Sequence, residues 1–151
     1  MKSNPGIVPM IFLVLSGCGS SSQSYLGTWQ ESGLLTASIP GSPFTSSLAI
    51  TATTHISSGS SGALVIARDG STCAIPGKIS GDKVTLQPGY QCSDTSTGTT
   101  VSLTLAQGTV DLIDPNTLHE NATGSLSSQI SGQPLAGGFS YAATLTRQSA
   151  Q

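Results

Sequence analysis

The chain has 151 residues, of which only 8% are charged, with five Lys and Arg against seven Asp and Glu. That length suits one domain of ordinary size, and so few, nearly balanced charges exclude a basic nucleic-acid face and an acidic tail. Abundant Ser, Thr and Gly would suit disorder, but a mean hydropathy of +0.11 does not, because disorder requires low hydrophobicity and usually a high net charge.

Lys2 precedes Ile7 to Leu15, an apolar run of about nine residues with the length of a secretory h-region. A membrane-spanning helix needs roughly 20, and Pro5, Gly6 and Pro9 further oppose one, since proline removes a helix donor and clashes with the preceding turn. The run ends in Leu15-Ser16-Gly17-Cys18. This stretch resembles the lipobox of bacterial lipoproteins. The resemblance implies cleavage before Cys18, a diacylglyceryl group on its sulfur and attachment of the protein to a membrane. It divides the chain into a signal peptide over residues 1–17, the lipidated Cys18 with a flexible linker over 18–24, and one domain over 25–151. Gly19 stands where an aspartate retains enteric lipoproteins at the inner membrane. By that resemblance the expected location is the outer membrane of a Gram-negative cell, facing the periplasm or the cell surface. Two or more lipids make a stable anchor, and the small, polar Gly19 to Ser24 segment reads as a spacer.

From Tyr25 onward the apolar residues recur with period two, and no segment of ten or more residues has helical spacing. Leu48, Ile50, Ala52, Thr54 and Ile56 share one face of a half-buried strand. Leu64 and Ile66 continue the pattern, and Asp69-Gly70 turns the chain toward Thr72 to Ile75. Gly81-Asp82 is a second hairpin signal, between Ile79 and the strand Val84 to Leu86. Val101, Leu103 and Leu105 form another strand, a break follows near Gln107-Gly108, and Val110 with Leu112 begins the next. Asp114-Pro115-Asn116 closes that hairpin. Leu118 to Leu126 alternates again, with His119, Asn121 and Thr123 on its polar face. Gly132-Gln133 leads into a final strand on which Phe139, Tyr141, Ala143, Leu145 and Arg147 point one way.

With Cys18 acylated, Cys73 and Cys92 remain. An oxidising compartment permits a disulfide between them. The rival, a metal pair, lacks further Cys or His ligands at usable spacing. With Gly81-Asp82 as a hairpin loop, Cys73 falls opposite Tyr90, and a bulge at Pro88-Gly89 would bring Cys92 within reach.

The expected fold is all-β, an antiparallel up-and-down meander of about 8–10 short strands. Adjacent hairpins favour a closed barrel over a β-sandwich, although alternation alone satisfies both. Gly27-Thr28-Trp29 opens the first strand and Arg147 closes the last. These residues are similar to the Gly-x-Trp and last-strand basic residue of the lipocalin and wider calycin group. That resemblance implies Trp29 across a barrel floor with Arg147 packed over its ring. It also implies a small apolar ligand inside, in a cavity lined by Phe139, Tyr141, Ile50 and Leu103, with Glu120 as a polar anchor. Glu120 has apolar parity on its strand, and a buried carboxylate needs a partner; a bulge turning it outward is the other reading.

A second resemblance, to small periplasmic metalloprotease inhibitors, implies an interaction module that contacts another envelope protein. His55 and His119 lie on polar faces, far apart in sequence, and no Gly-x-Ser-x-Gly or carboxylate pair stands out. The expectation is therefore a non-enzymatic protein with no cofactor, no bound metal and no nucleic-acid partner.

Overall fold

The computed structural model describes residues 22–41, 45–96, 99–130 and 133–149. Cys18 and the signal segment lie outside these, as does the turn position Gly132. Nine strands follow in order: β1 Gly27–Ser38, β2 Thr45–Ser58, β3 Ala63–Arg68, β4 Ala74–Ser80, β5 Lys83–Leu86, β6 Gln91–Ser96, β7 Thr99–Asp114, β8 Thr117–Ile130 and β9 Gln133–Arg147. Short 3-10 turns occupy Ser22–Ser24 and Ser60–Gly62.

All nine strands belong to one antiparallel sheet of order β5-β4-β3-β2-β1-β9-β8-β7-β6, with a further pairing of β5 onto β7. This corrects the closed lipocalin-like barrel, and a two-sheet sandwich as well. The strands at the ends of the order, β5 and β6, do not pair with each other. Both lie along one edge of β7, β6 from Gln91 to Ser96 and β5 only through Lys83 to Thr85. The result is a curled, open sheet, drawn together at one end and parted at the other. Strand length is the physical reason: β3, β4 and β5 have 6, 7 and 4 residues, whereas β1 and β2 have 12 and 14 and β7 has 16. The short strands cannot follow the long ones to their far ends.

Local sequence accounts for most joints. Gly81 takes φ +63° in the β4–β5 turn, a value that costs a residue without Cβ nothing, and Ser80 faces Lys83 across it. The break near Gln107 is not a strand boundary. It is a bulge between Leu105 and Gln107 inside one continuous β7, which bends the strand without ending its pairing with β8. The expected continuation of the β4–β5 hairpin past Pro88-Gly89 also fails, because the chain leaves β4 there and becomes β6, an outer partner of β7.

The drawn-together end holds the core. Trp29, Ile56, Leu64, Ile66, Val84, Leu86, Val110, Leu118 and Leu145 are buried there on the concave face, each large side chain contributing roughly 1.5–3 kcal/mol by leaving water. Trp29 donates from Nε1 to the Tyr25 carbonyl at 2.9 Å. The Arg147 guanidinium lies 4.2 Å from the Trp29 ring centroid. Its nitrogens donate to the carbonyls of Ser24 at 2.6 Å, Leu26 at 2.8 Å and Pro115 at 2.9 Å. One side chain thus ties the entry segment, the end of β9 and the β7–β8 turn together. At the parted end the concave face stays accessible, and Leu48 and Val101 are 58% and 36% exposed.

Candidate functional site

Between the two ends the concave face carries a layer of polar side chains, placed there by strand parity. Glu31 is two residues after Trp29 on β1, Thr54 two before Ile56 on β2, and Arg68 two after Ile66 on β3. Glu120 is two after Leu118 on β8, and Tyr141 two before Ala143 on β9. Period two sends each of them inward with its apolar neighbours.

Arg68 is the hub. Its Nε donates to Glu31 Oε1 and Oε2 at 2.9 and 2.8 Å, and its Nη2 donates to both oxygens of Glu120 at 2.7 Å. The hydroxyls of Thr54 and Tyr141 also donate to Glu31. The guanidinium lies 5.3 Å from the Tyr141 ring centroid. Glu31 is fully buried and Glu120 is 2% exposed. Gly33 makes the arrangement possible: a Cβ there would stand 2.6 Å from the Tyr141 hydroxyl, so any side chain would keep that hydroxyl from Glu31.

Two carboxylates share one guanidinium, and they respond differently. Burial pushes the Glu31 carboxyl up, but the hydrogen bonds and charge of Arg68, with the two hydroxyls, outweigh it and hold Glu31 below the ordinary carboxylate value. Burial dominates at Glu120, where the Arg68 charge opposes it and the Glu31 charge reinforces it, so its carboxyl is raised. Burial also opposes the charge of Arg68, which Glu120 and Glu31 restore and strengthen. The Tyr141 hydroxyl is pushed up by burial and by its bond to Glu31. The layer is a satisfied buried network in which the carboxylates' bonding capacity is turned on each other's partner.

A cavity of about 370 Å3 lies on the parted side of this layer, walled by Leu35, Ile50, Leu103 and Phe139 and by Cys73–Cys92 opposite. Glu120 faces inward, so no bulge turns it out. The expected use of Glu120 and Tyr141 as anchors for a small apolar ligand is nevertheless overturned. The sheet that was to enclose the ligand is open, and both side chains are committed to Arg68 and Glu31. A charged floor is also a poor match for an apolar molecule.

The rim opposite β2 is a clamped loop. Cys73 and Cys92 form a disulfide with Cα atoms 5.5 Å apart, joining the β3–β4 loop to β6 rather than spanning the β4–β5 hairpin. Asp94 accepts from the Thr72 N–H at 3.0 Å and from the Ser71 hydroxyl at 2.7 Å, and these bonds hold its carboxyl below the usual range. The two sulfurs and an Asp94 oxygen lie within 4.8 Å of one another. The sulfurs are bonded together and the carboxylate is engaged by the loop, so the trio acts as a clamp. His55 is exposed and meets Asp69 at 3.1 Å, while His119 projects from the other face of β8; the two share no site.

Sequence reasoning reached Glu120, Phe139 and Tyr141 but passed over Glu31, Arg68 and Thr54 as a group. The signal was the same one that singled out Glu120: a polar residue at the parity of its strand's apolar positions.

Comparison with known proteins adds little. No protein family matches the chain and no curated protein does; the open sheet overturns the lipocalin-like resemblance, and the lipoprotein resemblance finds no support in these comparisons. Among solved structures it is similar to a protein of unknown function from the DUF3598 family of Nostoc punctiforme, at 13% identity and a TM-score of 0.45. That similarity covers 86% of this chain and 50% of that one; the chain spans half the length of the protein it resembles.

Proposed function

We propose that the chain is a non-enzymatic protein-interaction module of the bacterial cell envelope, held at a membrane by lipid on Cys18. The observation that carries this reading is the parted end, where Leu48 stands 58% exposed beside its cross-strand partner Leu35 and Leu35, Ile50, Leu103 and Phe139 wall an open concave face. Apolar surface grouped in this way marks a site of association. The polar groups beneath it bind one another, which leaves that layer without a carboxylate free to act as base or nucleophile. No helix among the described residues is long and apolar enough to cross a membrane; the attachment proposed is by lipid at the Leu15-Ser16-Gly17-Cys18 stretch.

The described part of the chain begins at the packed end. The Ser22–Ser24 turn is bound to Arg147 at the drawn-together end, while β1 runs from Gly27 away to Ser38, roughly 3.3 Å per residue. A lipid on Cys18 sets the packed end toward the membrane and the parted end away from it, toward a partner.

Two experiments test the reading. Cys18→Ala should move the protein from the membrane fraction to the soluble fraction; retention in the membrane would remove the anchor. A photo-reactive side chain at Leu48 should form adducts with another envelope protein, and the same group at exposed Ile113, beside the β7–β8 turn, should not. Equal or absent adducts at both positions would overturn the interaction module.

A further inference from the structure

We propose that the free edge of β2 receives an extended, basic and apolar segment of a partner protein as an added β-strand. This deepens the interaction-module reading and rests on it. β2 pairs with β1 from Thr45 to Ile56, but with β3 only from Thr54 to Ser58. The Thr53 carbonyl accepts from the Asp69 N–H at 2.9 Å, which fixes the direction in which odd-numbered residues of β2 point their backbone groups. By alternation Ser47, Ala49 and Thr51 turn N–H and C=O toward that same edge. Among the described residues nothing pairs with them.

Natural proteins blunt such edges with Lys, Pro, bulges or a covering segment. The other parted edge, β6, is treated that way. Thr72 bonds the Ser93 carbonyl at 2.9 Å and the Asp94 carboxylate at 3.0 Å, and the disulfide fastens Cys73 over Cys92. Thr45 to Ala52 carries no charge, no proline and no bulge in its register with β1. Of its inward residues, Ile50 lines the cavity and Leu48, on the same face, is 58% exposed beyond it, so alternate side chains of an added strand enter that space and cover Leu48. Strand addition of this kind takes affinity from main-chain hydrogen bonds and specificity from pockets for alternate side chains.

Charge selects the occupant. Asp69, with its side chain 64% exposed, and Asp94 line the cavity rim, and beneath them two carboxylates face one guanidinium. His55 meets Asp69 from β2, and Arg68, the one Lys or Arg among the described residues of the cavity lining, is taken by Glu31 and Glu120, so carboxylates outnumber cations at the rim. A second copy of this chain would bring an uncharged β2 edge and no cation, so the fit is to a segment whose residues alternate between apolar and Lys or Arg.

The test uses the full chain in detergent micelles and fluorescein-labelled nine-residue peptides read by anisotropy. One alternates Val and Leu with Lys and Thr, a second replaces Lys by Glu, and a third is the first with alternate backbone nitrogens methylated. The Lys peptide should bind saturably, and the Glu and methylated peptides about tenfold more weakly, the loss expected from one or two strand hydrogen bonds or a charge contact. Thr51→Pro and Ala49→Pro each delete an edge N–H without touching the β1 ladder and should weaken the Lys peptide similarly; the methylated peptide makes the same deletion with no change to the protein. Asp69→Asn should weaken it several-fold. Binding indifferent to Thr51→Pro and to methylation, a preference for the Glu peptide, or no binding at all would overturn the strand. So would a doubled mass in light scattering that Thr51→Pro abolishes, which would assign the edge to a second copy. Persistent Leu48 adducts alongside any of these results would leave the interaction module standing; loss of both would end both.

Discussion

The two ends of the sheet are built from the same strands and behave as different materials. At one end eight strands meet, the concave face is filled by Trp29, Leu64, Leu118 and Leu145, and Arg147 binds the segments that cross it. At the other, β3 to β5 have run out, and the long strands present half-covered Leu35, Leu48 and Phe139. The Arg68 layer is the boundary. Strand length, more than side-chain chemistry, divides a stabilising region from an accessible one, and the polar layer keeps water and charge from undermining the packed side.

The largest effect should come from that boundary. Arg68→Ala leaves two buried carboxylates without their cation and should cost about 3–5 kcal/mol, read as a lower urea midpoint, whereas Leu48→Ala at the parted end should change stability by less than about 0.5 kcal/mol. Equal effects would erase the distinction between the ends. Opening the disulfide, which spans a sequence separation of 19, should cost about 3 kcal/mol on the chain-entropy model, measured by comparing Cys73→Ser/Cys92→Ser with the parent. Arg147→Ala should cost about 0.5–2 kcal/mol for the lost stacking alone, and Arg147→Lys should recover only part of it, because an ammonium cannot reach three carbonyls at once.

The smallest effect is a pH dependence with two signs. Glu120 holds its proton more readily folded than unfolded, so acidification from neutrality toward the ordinary carboxylate value should add stability. Glu31 holds its proton less readily folded, so stability is lost as the pH falls below that value. A stability maximum on the mildly acidic side should follow in a pH series of urea titrations, and Glu120→Gln should flatten the rise while keeping the fall. A stability that only declines from neutrality downward would contradict the assignment.

Much of the strand pattern was legible in the residues. The shared face of Leu48 to Ile56, the Gly81-Asp82 turn and the inward run from Phe139 to Arg147 appear where period two puts them. Closure was not legible, because alternation says which side of a strand is buried and nothing about how far its neighbour extends. β6 was hidden for a related reason: Gln91-Cys92-Ser93-Asp94 has no apolar alternation, being an outer strand that covers little. The site was half legible. Glu120 stood out against Leu118 and Ala122, while Arg68, next to the Asp69-Gly70 turn signal, drew no reading of its own, because its partners come from strands 37 and 52 residues away in sequence.

Trp29 is the only tryptophan in the chain, and it sits wholly within the packed end beneath Arg147. Its fluorescence is therefore a built-in reporter of that end alone, while the Cys73–Cys92 disulfide, whose near-ultraviolet band falls at shorter wavelength than the aromatic ones, lies at the parted side. The molecule carries two optical channels aimed at its two halves. A partner that seats at the parted end should change the second and leave the first silent, so occupancy can be followed without attaching any label to the protein.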